Sequence, residues 1–333
     1  MNLTAVYDSY WYFAAERHAI YERRLSDPIG PWTSDPILST YRFTNSYRAA
    51  DRVSQFLIGE VQYRPDRSQA PAELFFRTML FKIFNRIETW QLIETRLGPV
   101  SWQSVDLGAI DALLDAAMSR GNRIYSAAYI MPAPQLGKPR KHSNHLALLR
   151  RMMDDSLPAR IERARSLAEV YELIKPYPGL GPFLAFQYAI DLNYSNLLGF
   201  SEADFVVAGP GALDGIAKCF EDQGKRSAED IIAEMVDVQD REFEAHGIDF
   251  EGLFGRRLQL IDCQNLFCEI SKYARVAHPD VQGVSSRTRI KQSYRPSALE
   301  GRQPVFPLRW GLHVPAIERK VVRSLEPAQG SLF

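Results

Sequence analysis

Pro178-Gly179-Leu180-Gly181-Pro182 stands directly before an apolar run from Phe183 to Leu192. A P-G-x-G turn between two helices leaves the first amides of the second helix without intrahelical partners, beside the positive end of its dipole. Those amides can seat a phosphate oxygen. The turn has no basic side chain, so it would grip a nucleic-acid backbone in any sequence context, Gly179, Leu180 and Gly181 making the contact. Its plain structural alternative is a glycine stop between helices. A second constellation is Arg42, Asn45, Tyr47, Arg48, Asp51 and Gln55, which brings forked donors, amides and an aromatic face together. Such a set can read the edge of a flipped base and stack on it; the alternative is an Arg–Asp network pinning an aromatic core. Ala208-Gly209-Pro210-Gly211-Ala212 is a further glycine turn, but no Gly-Lys-Ser/Thr follows, so it is not a nucleotide-phosphate loop.

The charge distribution agrees with a polyanionic partner. The chain of 333 residues has a formal net charge of zero, yet residues 287–323 carry nine Lys or Arg against Glu300 and Glu318. Residues 138–165 are similarly basic, and residues 221–251 are acidic. Lys138, Arg140, Lys141, Arg289 and Lys291 are therefore candidate backbone contacts. The 3 cysteines, Cys219, Cys263 and Cys268, have no zinc-knuckle or iron–sulfur spacing and exclude a disulfide framework. His142 and His145 are three residues apart, a spacing that offers a metal only half a site, and phosphate contact or a solvated surface suits them better. No metal or other cofactor is expected. No apolar run is long enough to span a membrane, so a cytoplasmic protein is expected.

Helical periodicity dominates the elements that must position these residues. It predicts helices from Tyr10 to Arg24, Arg48 to Gly59, Ala72 to Leu97, Ile110 to Arg120, Asn144 to Asp154, Ser166 to Lys175 and Ala228 to Ala245. The expectation is an all-α fold of two helical lobes with a cleft. Residues 1–280 would form the helical domain, with the hairpin at 176–192, and residues 281–328 a basic irregular extension packed on it. The last residues, 329–333, read as a flexible tail. Gln329, Leu332 and Phe333 resemble the peptide that plugs the bacterial sliding clamp.

Tyr177 to Ala185 also resembles the helix-hairpin-helix of the endonuclease III-like DNA glycosylase superfamily. The resemblance implies a catalytic Asp downstream that stabilises a cationic sugar or activates water as a flipped base departs. Asp204 comes nearest, though three residues beyond the usual spacing; Asp191 and Asp214 are rivals, and Glu269 is a possible second carboxylate. Phe183 stands where the superfamily's lyases carry a Schiff-base lysine, so β-elimination is not expected.

A narrower resemblance covers residues 10–311. It runs through Trp32 to Leu38, Tyr41 to Asn45, Asp51 to Gln55, Phe84 to Trp90, Gln264-Asn265, Cys268-Glu269 and Phe306 to Trp310. These stretches are similar to the α-glutamyl/putrescinyl-thymine pyrophosphorylases, also described as the helical domain of 5-hydroxymethyluracil DNA kinases. That resemblance implies a glycosylase-like fold acting on modified bases in double-stranded phage DNA. The leading expectation is a monofunctional, metal-independent DNA glycosylase of phage defence. It would flip and excise a hypermodified pyrimidine such as glucosylated 5-hydroxymethylcytosine, leaving an abasic site. The alternative is a transferase that displaces pyrophosphate from activated 5-hydroxymethyluracil and attaches an amine or amino acid. A DNA-binding module without catalysis is the third reading.

Overall fold

Thr4 opens the first helix by accepting the Val6 amide at 3.1 Å, and α1 (Ala5–Ser26) then buries one aromatic-rich face through Tyr10, Trp11 and Phe13. The computed structural model describes residues 2–27, 29–295 and 303–316. After α1 come α2 (Pro36–Thr40), a 3-10 turn (Arg48–Ala50) and α3 (Arg52–Phe56), which runs on as a π-helix (Leu57–Gln62). Next are α4 (Pro71–Phe84), α5 (Ile87–Leu97), α6 (Leu107–Ser119), α7 (Lys141–Asp154) and α8 (Leu157–Glu162). The hairpin helices α9 (Leu167–Ile174) and α10 (Pro182–Asn193) are followed by α11 (Pro210–Cys219), α12 (Ala228–Ala245) and α13 (Leu260–Ala277). Among the described residues there is no strand, only isolated bridges such as Tyr41 to Ser293. No described helix is long and apolar enough to cross a membrane. The fold is all-α.

Three helix boundaries bear on the site. The stretch Ala72 to Leu97 does not form one helix: Asn85 takes left-handed dihedrals (φ 48°, ψ 37°) and closes α4. Asparagine tolerates that region better than other residues with a Cβ. The π-helix at 57–62 adds a residue per turn and turns Gln62 inward, where Nε2 donates to the Asp191 carbonyl at 2.8 Å and to Thr78 Oγ1 at 3.1 Å. No helix forms around Ser201; its hydroxyl instead accepts the Ala203 amide in a bend.

Helices α11 and α13 pack at backbone distance because Gly215 has no side chain. A Cβ there would lie 2.0 Å from the Phe267 carbonyl oxygen. The buried apolar side chains form one continuous cluster from Val6 to Phe306. The irregular segment 303–316 is tied down by Gln55, whose amide mimics a backbone unit. Its Nε2 donates to the Val305 carbonyl at 2.9 Å and its Oε1 accepts the Val305 amide at 2.9 Å.

Candidate active site

A buried ionic cluster lies where α4, α10 and the 3-10 turn after α2 meet. Arg48, Lys82 and Asp191 are 2%, 3% and 0% exposed. The Arg48 guanidinium grips both Asp191 oxygens, Nη1 to Oδ1 at 2.8 Å and Nη2 to Oδ2 at 2.9 Å. Its Nε donates to Gln187 Oε1 at 2.9 Å. Lys82 Nζ lies 3.1 Å from Asp191 Oδ2 and donates to Asn85 Oδ1 at 2.7 Å. The left-handed turn at Asn85 is thus what brings its amide to the lysine.

Opposing effects set the charge states. Burial works against the Asp191 carboxylate, but the Arg48 and Lys82 cations beside it prevail and hold it below the ordinary range. Burial also pulls Lys82 down, although Asp191 favours its charged form. Two basic side chains thus face Asp191 in a low-dielectric interior, and the Asp51 carboxylate also acts on Lys82.

Tyr129 roofs this cluster. Its ring centre is 5.1 Å from Lys82 Nζ and 5.8 Å from the Arg48 guanidinium carbon. The residue has φ 53°, a conformation that is costly away from glycine and asparagine and that the surrounding structure must hold in place. Phe183 stacks on it at 6.1 Å with 15° between the rings. Beneath Phe183 only a glycine fits, since a Cβ on Gly209 would be 2.6 Å from the phenyl ring and 3.4 Å from Gln264 Nε2. Gln264 reaches on toward Cys268.

Asp51 is the partly exposed carboxylate of this region. Its Oδ1 accepts the Asn45 amide at 2.8 Å, and burial pushes it up to about 6. It acts electrostatically on both Lys82 and Tyr129. Asp262, behind Arg48, accepts the Arg48 amide at 2.9 Å and is pushed up to about 7 by burial.

The sequence-based candidates separate clearly. Asp191, Arg48 and Asp51 belong to the cluster or its edge. Asp204 is exposed on a bend. Asp214 is engaged with Ser271 Oγ and with the Ser285 amide, holding the segment after α13. Glu269 accepts the Thr44 amide at 3.0 Å and pairs with Lys272. Of the six residues expected to read a base, Tyr47 is buried with its hydroxyl on the Arg256 carbonyl at 2.6 Å. Gln55 ties down Val305, Asn45 donates to the Ala50 carbonyl at 2.7 Å, and Arg42 is exposed. Lys82 and Gln187 escaped sequence reasoning. A lysine inside Met79 to Phe84, an otherwise apolar stretch, was the available signal for the first.

The hairpin turn has Gly179 at φ 87°, with Leu180 buried under it. The Pro132 carbonyl lies 3.1 Å from where a Gly179 Cβ would stand, so the loop after α6 abuts the turn. Lys138 continues that loop; Arg140 pairs with Asp115 at 3.3 Å and Lys141 caps the Tyr125 ring face at 4.7 Å. Arg289 and Lys291 are exposed on the far segment. His142 faces Asp111 at 3.3 Å and His145 bonds Tyr125 and the Pro132 carbonyl, so the two rings serve separate contacts. Among the described residues no group of three or more His, Cys, Asp or Glu gathers at metal-binding distance. The clamp-like residues Gln329, Leu332 and Phe333 lie outside the described residues.

Comparison with known proteins corrects the function expected from the hairpin. No solved structure matches the chain. A protein of Bacillus phage SP10 named 5-hmdU DNA kinase is 29% identical over 286 residues, 80% of this chain and 45% of that protein. The chain therefore spans less than half the length of this relative. The name denotes a kinase of a modified pyrimidine in DNA, and it overturns the expected glycosylase, hydrolase and base excision. The family model described as "5-hmdU DNA kinase, helical domain" matches residues 4–283, and the chain belongs to that family.

Proposed function

We propose that this chain modifies a 5-hydroxymethylpyrimidine in DNA at its exocyclic carbon, as a transferase that displaces pyrophosphate from the activated hydroxymethyl group and attaches an amine. The observation that carries the reading is the cationic Arg48–Lys82–Asp191 cluster roofed by the stacked Tyr129 and Phe183 rings. A flipped base needs an aromatic face to stack on, and a diphosphate leaving group needs a preorganised positive field. The two lie together here. The name of the phage relative supports a modified thymine-like base in DNA as the substrate. Its kinase activity does not carry over readily, because this chain matches only 45% of that protein and its Gly209–Gly211 turn lacks a phosphate-loop lysine.

The chemistry balances with the groups present. The amine nitrogen bonds to the methylene carbon as the carbon–oxygen bond to the diphosphate breaks, and the diphosphate leaves with the electron pair. The ammonium proton passes to Asp51, the partly buried carboxylate whose raised affinity suits a base near neutrality. Arg48 and Lys82 stabilise the charge growing on the leaving oxygen, and Asp191 holds both in position. The hairpin amides after Gly181 would grip the DNA backbone, in the manner of a helix-hairpin-helix, with Lys138 and Arg140 as further backbone contacts.

The test is a duplex carrying 5-(diphosphooxymethyl)uracil incubated with the protein and a primary amine. Pyrophosphate release that requires the amine is the expected result, with loss of at least roughly 10²-fold in Lys82→Met. Release at the same rate without amine would contradict it.

A further inference from the structure

Arg17 is an anomaly in the core. It is 8% exposed, its Nη1 is fully enclosed without a hydrogen-bond partner, and no carboxylate among the described residues comes within ion-pairing distance. Burial pulls its guanidinium down to about 10. A buried charge is ordinarily paired, because an isolated one is expensive to desolvate. Two more enclosed polar atoms without partners belong to groups around it: Arg24 Nε and the Tyr294 hydroxyl. Arg24, Tyr294, Asp51 and Glu269 are the charged and titratable groups that act on Arg17.

The surroundings are built. Arg17 and Arg24 are seven residues apart on α1, hence two turns and about 10 Å along one face. The Arg24 guanidinium is held over the rings of Trp32, at 4.9 Å, and Tyr294, at 5.8 Å. Tyr294 is placed by backbone pairing of its segment with residues 40–42: its amide donates to the Thr40 carbonyl at 2.8 Å and the Arg42 amide donates to the Gln292 carbonyl at 3.0 Å. Arg42 and Lys291, on the two paired segments, are both exposed. The two nearby carboxylates have other duties, Glu269 with the Thr44 amide and Lys272, Asp51 with the Asn45 amide.

We propose that Arg17, Arg24 and the Tyr294 hydroxyl form a second anion site, separate from the Arg48–Lys82–Asp191 cluster, that takes a phosphate oxyanion. Two guanidinium forks, without a carboxylate partner among the described residues, supply donors only, the phenol adds a hydroxyl that can donate, and phosphate accepts from all of them. The phosphate is either a phosphodiester of the bound DNA or a free phosphate, and the site does not depend on the transfer chemistry proposed above.

Thermal unfolding of the full chain at fixed ionic strength tests this, with inorganic phosphate in one arm and a short duplex in the other. Wild type should be stabilised by at least one of the two. Arg17→Met should lose that response while keeping a ligand-free melting temperature at or above wild type, since it removes an unpaired buried charge. Arg24→Gln, on the more open arginine, should weaken the same ligand about 10-fold and, if the ligand is DNA, lower its salt slope by about one. A response to phosphate alone identifies a free anion; a response to duplex alone identifies the phosphodiester. The proposal is overturned if Arg17→Met and Arg24→Gln respond like wild type in both arms, or if wild type responds in neither. Amine-dependent pyrophosphate release, measured on the same samples, can fail or succeed independently.

Discussion

Replacing Asp191 with alanine is expected to lower the unfolding free energy by about 3–5 kcal/mol, because it strands two cations in the interior. Arg48 and Lys82 share this carboxylate, one through a bidentate grip and the other at 3.1 Å. With the anion gone, neither cation can reach water from its present position, as both are at most 3% exposed. For a chain of this size the loss corresponds to a melting temperature lower by roughly 4–7 °C. Removing all three charges together, as Arg48→Met, Lys82→Met and Asp191→Leu, should recover most of the stability, since an apolar replacement of a buried ionic group is often neutral or better. Activity should not return in that triple variant. Denaturant unfolding checks the first half and the pyrophosphate assay the second. If the triple variant were active, the cluster would be a scaffold element alone.

Asp51→Asn should show the opposite pattern, with transfer slowed by roughly 10²–10⁴-fold and stability kept or raised. The sign follows from linkage. The folded chain holds the Asp51 proton up to about 6, well above the carboxyl's ordinary 3.8, because burial disfavours the charge. The folded state therefore binds more protons than the unfolded state between those values, and charging the group costs stability as pH rises through that window. Asp262, pushed up to about 7 by burial, extends the decline and should persist in the Asp51→Asn variant. Catalysis runs the other way. A proton acceptor must be ionised, so the wild-type rate should climb with pH up to about 6 and then level. In Asp51→Asn the residual rate should lose that rise. A pH–rate profile beside a pH–stability profile of the two proteins separates a base from a structural acid.

Much of the fold was legible because apolar periodicity reports helices directly. The hairpin around Gly179 was marked by proline and glycine, and α12 by Ser227 and Asp230, whose side chains complete a capping box. Helix α13 was not anticipated, although it forms the wall of the site. It buries Asp262, Gln264, Asn265 and Glu269 as well as its apolar residues, so it lacks the one-sided pattern that betrays a surface helix. The break at Asn85 was hidden for a related reason. Polar and apolar residues continue across it in helical register, and only the left-handed backbone reveals the turn.

The site was half legible. Arg48, Asp51 and Asp191 could be named from residue type, but spacing along the chain cannot tell a residue that faces a ligand from one that faces the core. Asp204 drew attention by its distance from the hairpin, whereas the fold leaves it exposed and brings Asp191, inside α10, under Arg48. Tyr47 and Gln55 have the right chemistry for a base and are instead engaged with backbone groups of distant segments. Lys82 had a faint signal in the apolar residues around it, whereas Arg17 could only be found in three dimensions. Both are buried cations, and what distinguishes them is the partner set, complete for Lys82 and, among the described residues, missing for Arg17.

The central claim is that the base stays on the DNA and gains a substituent at its exocyclic carbon. Intact-mass spectrometry of an oligonucleotide duplex containing one 5-(diphosphooxymethyl)uracil, after incubation with the protein and a primary amine, tests it most directly. The account predicts one new species on the modified strand, lighter by pyrophosphate and heavier by the amine, with no alkali-labile break. A strand that has lost the whole base, or one that stays unchanged while the protein binds it fully, would contradict it.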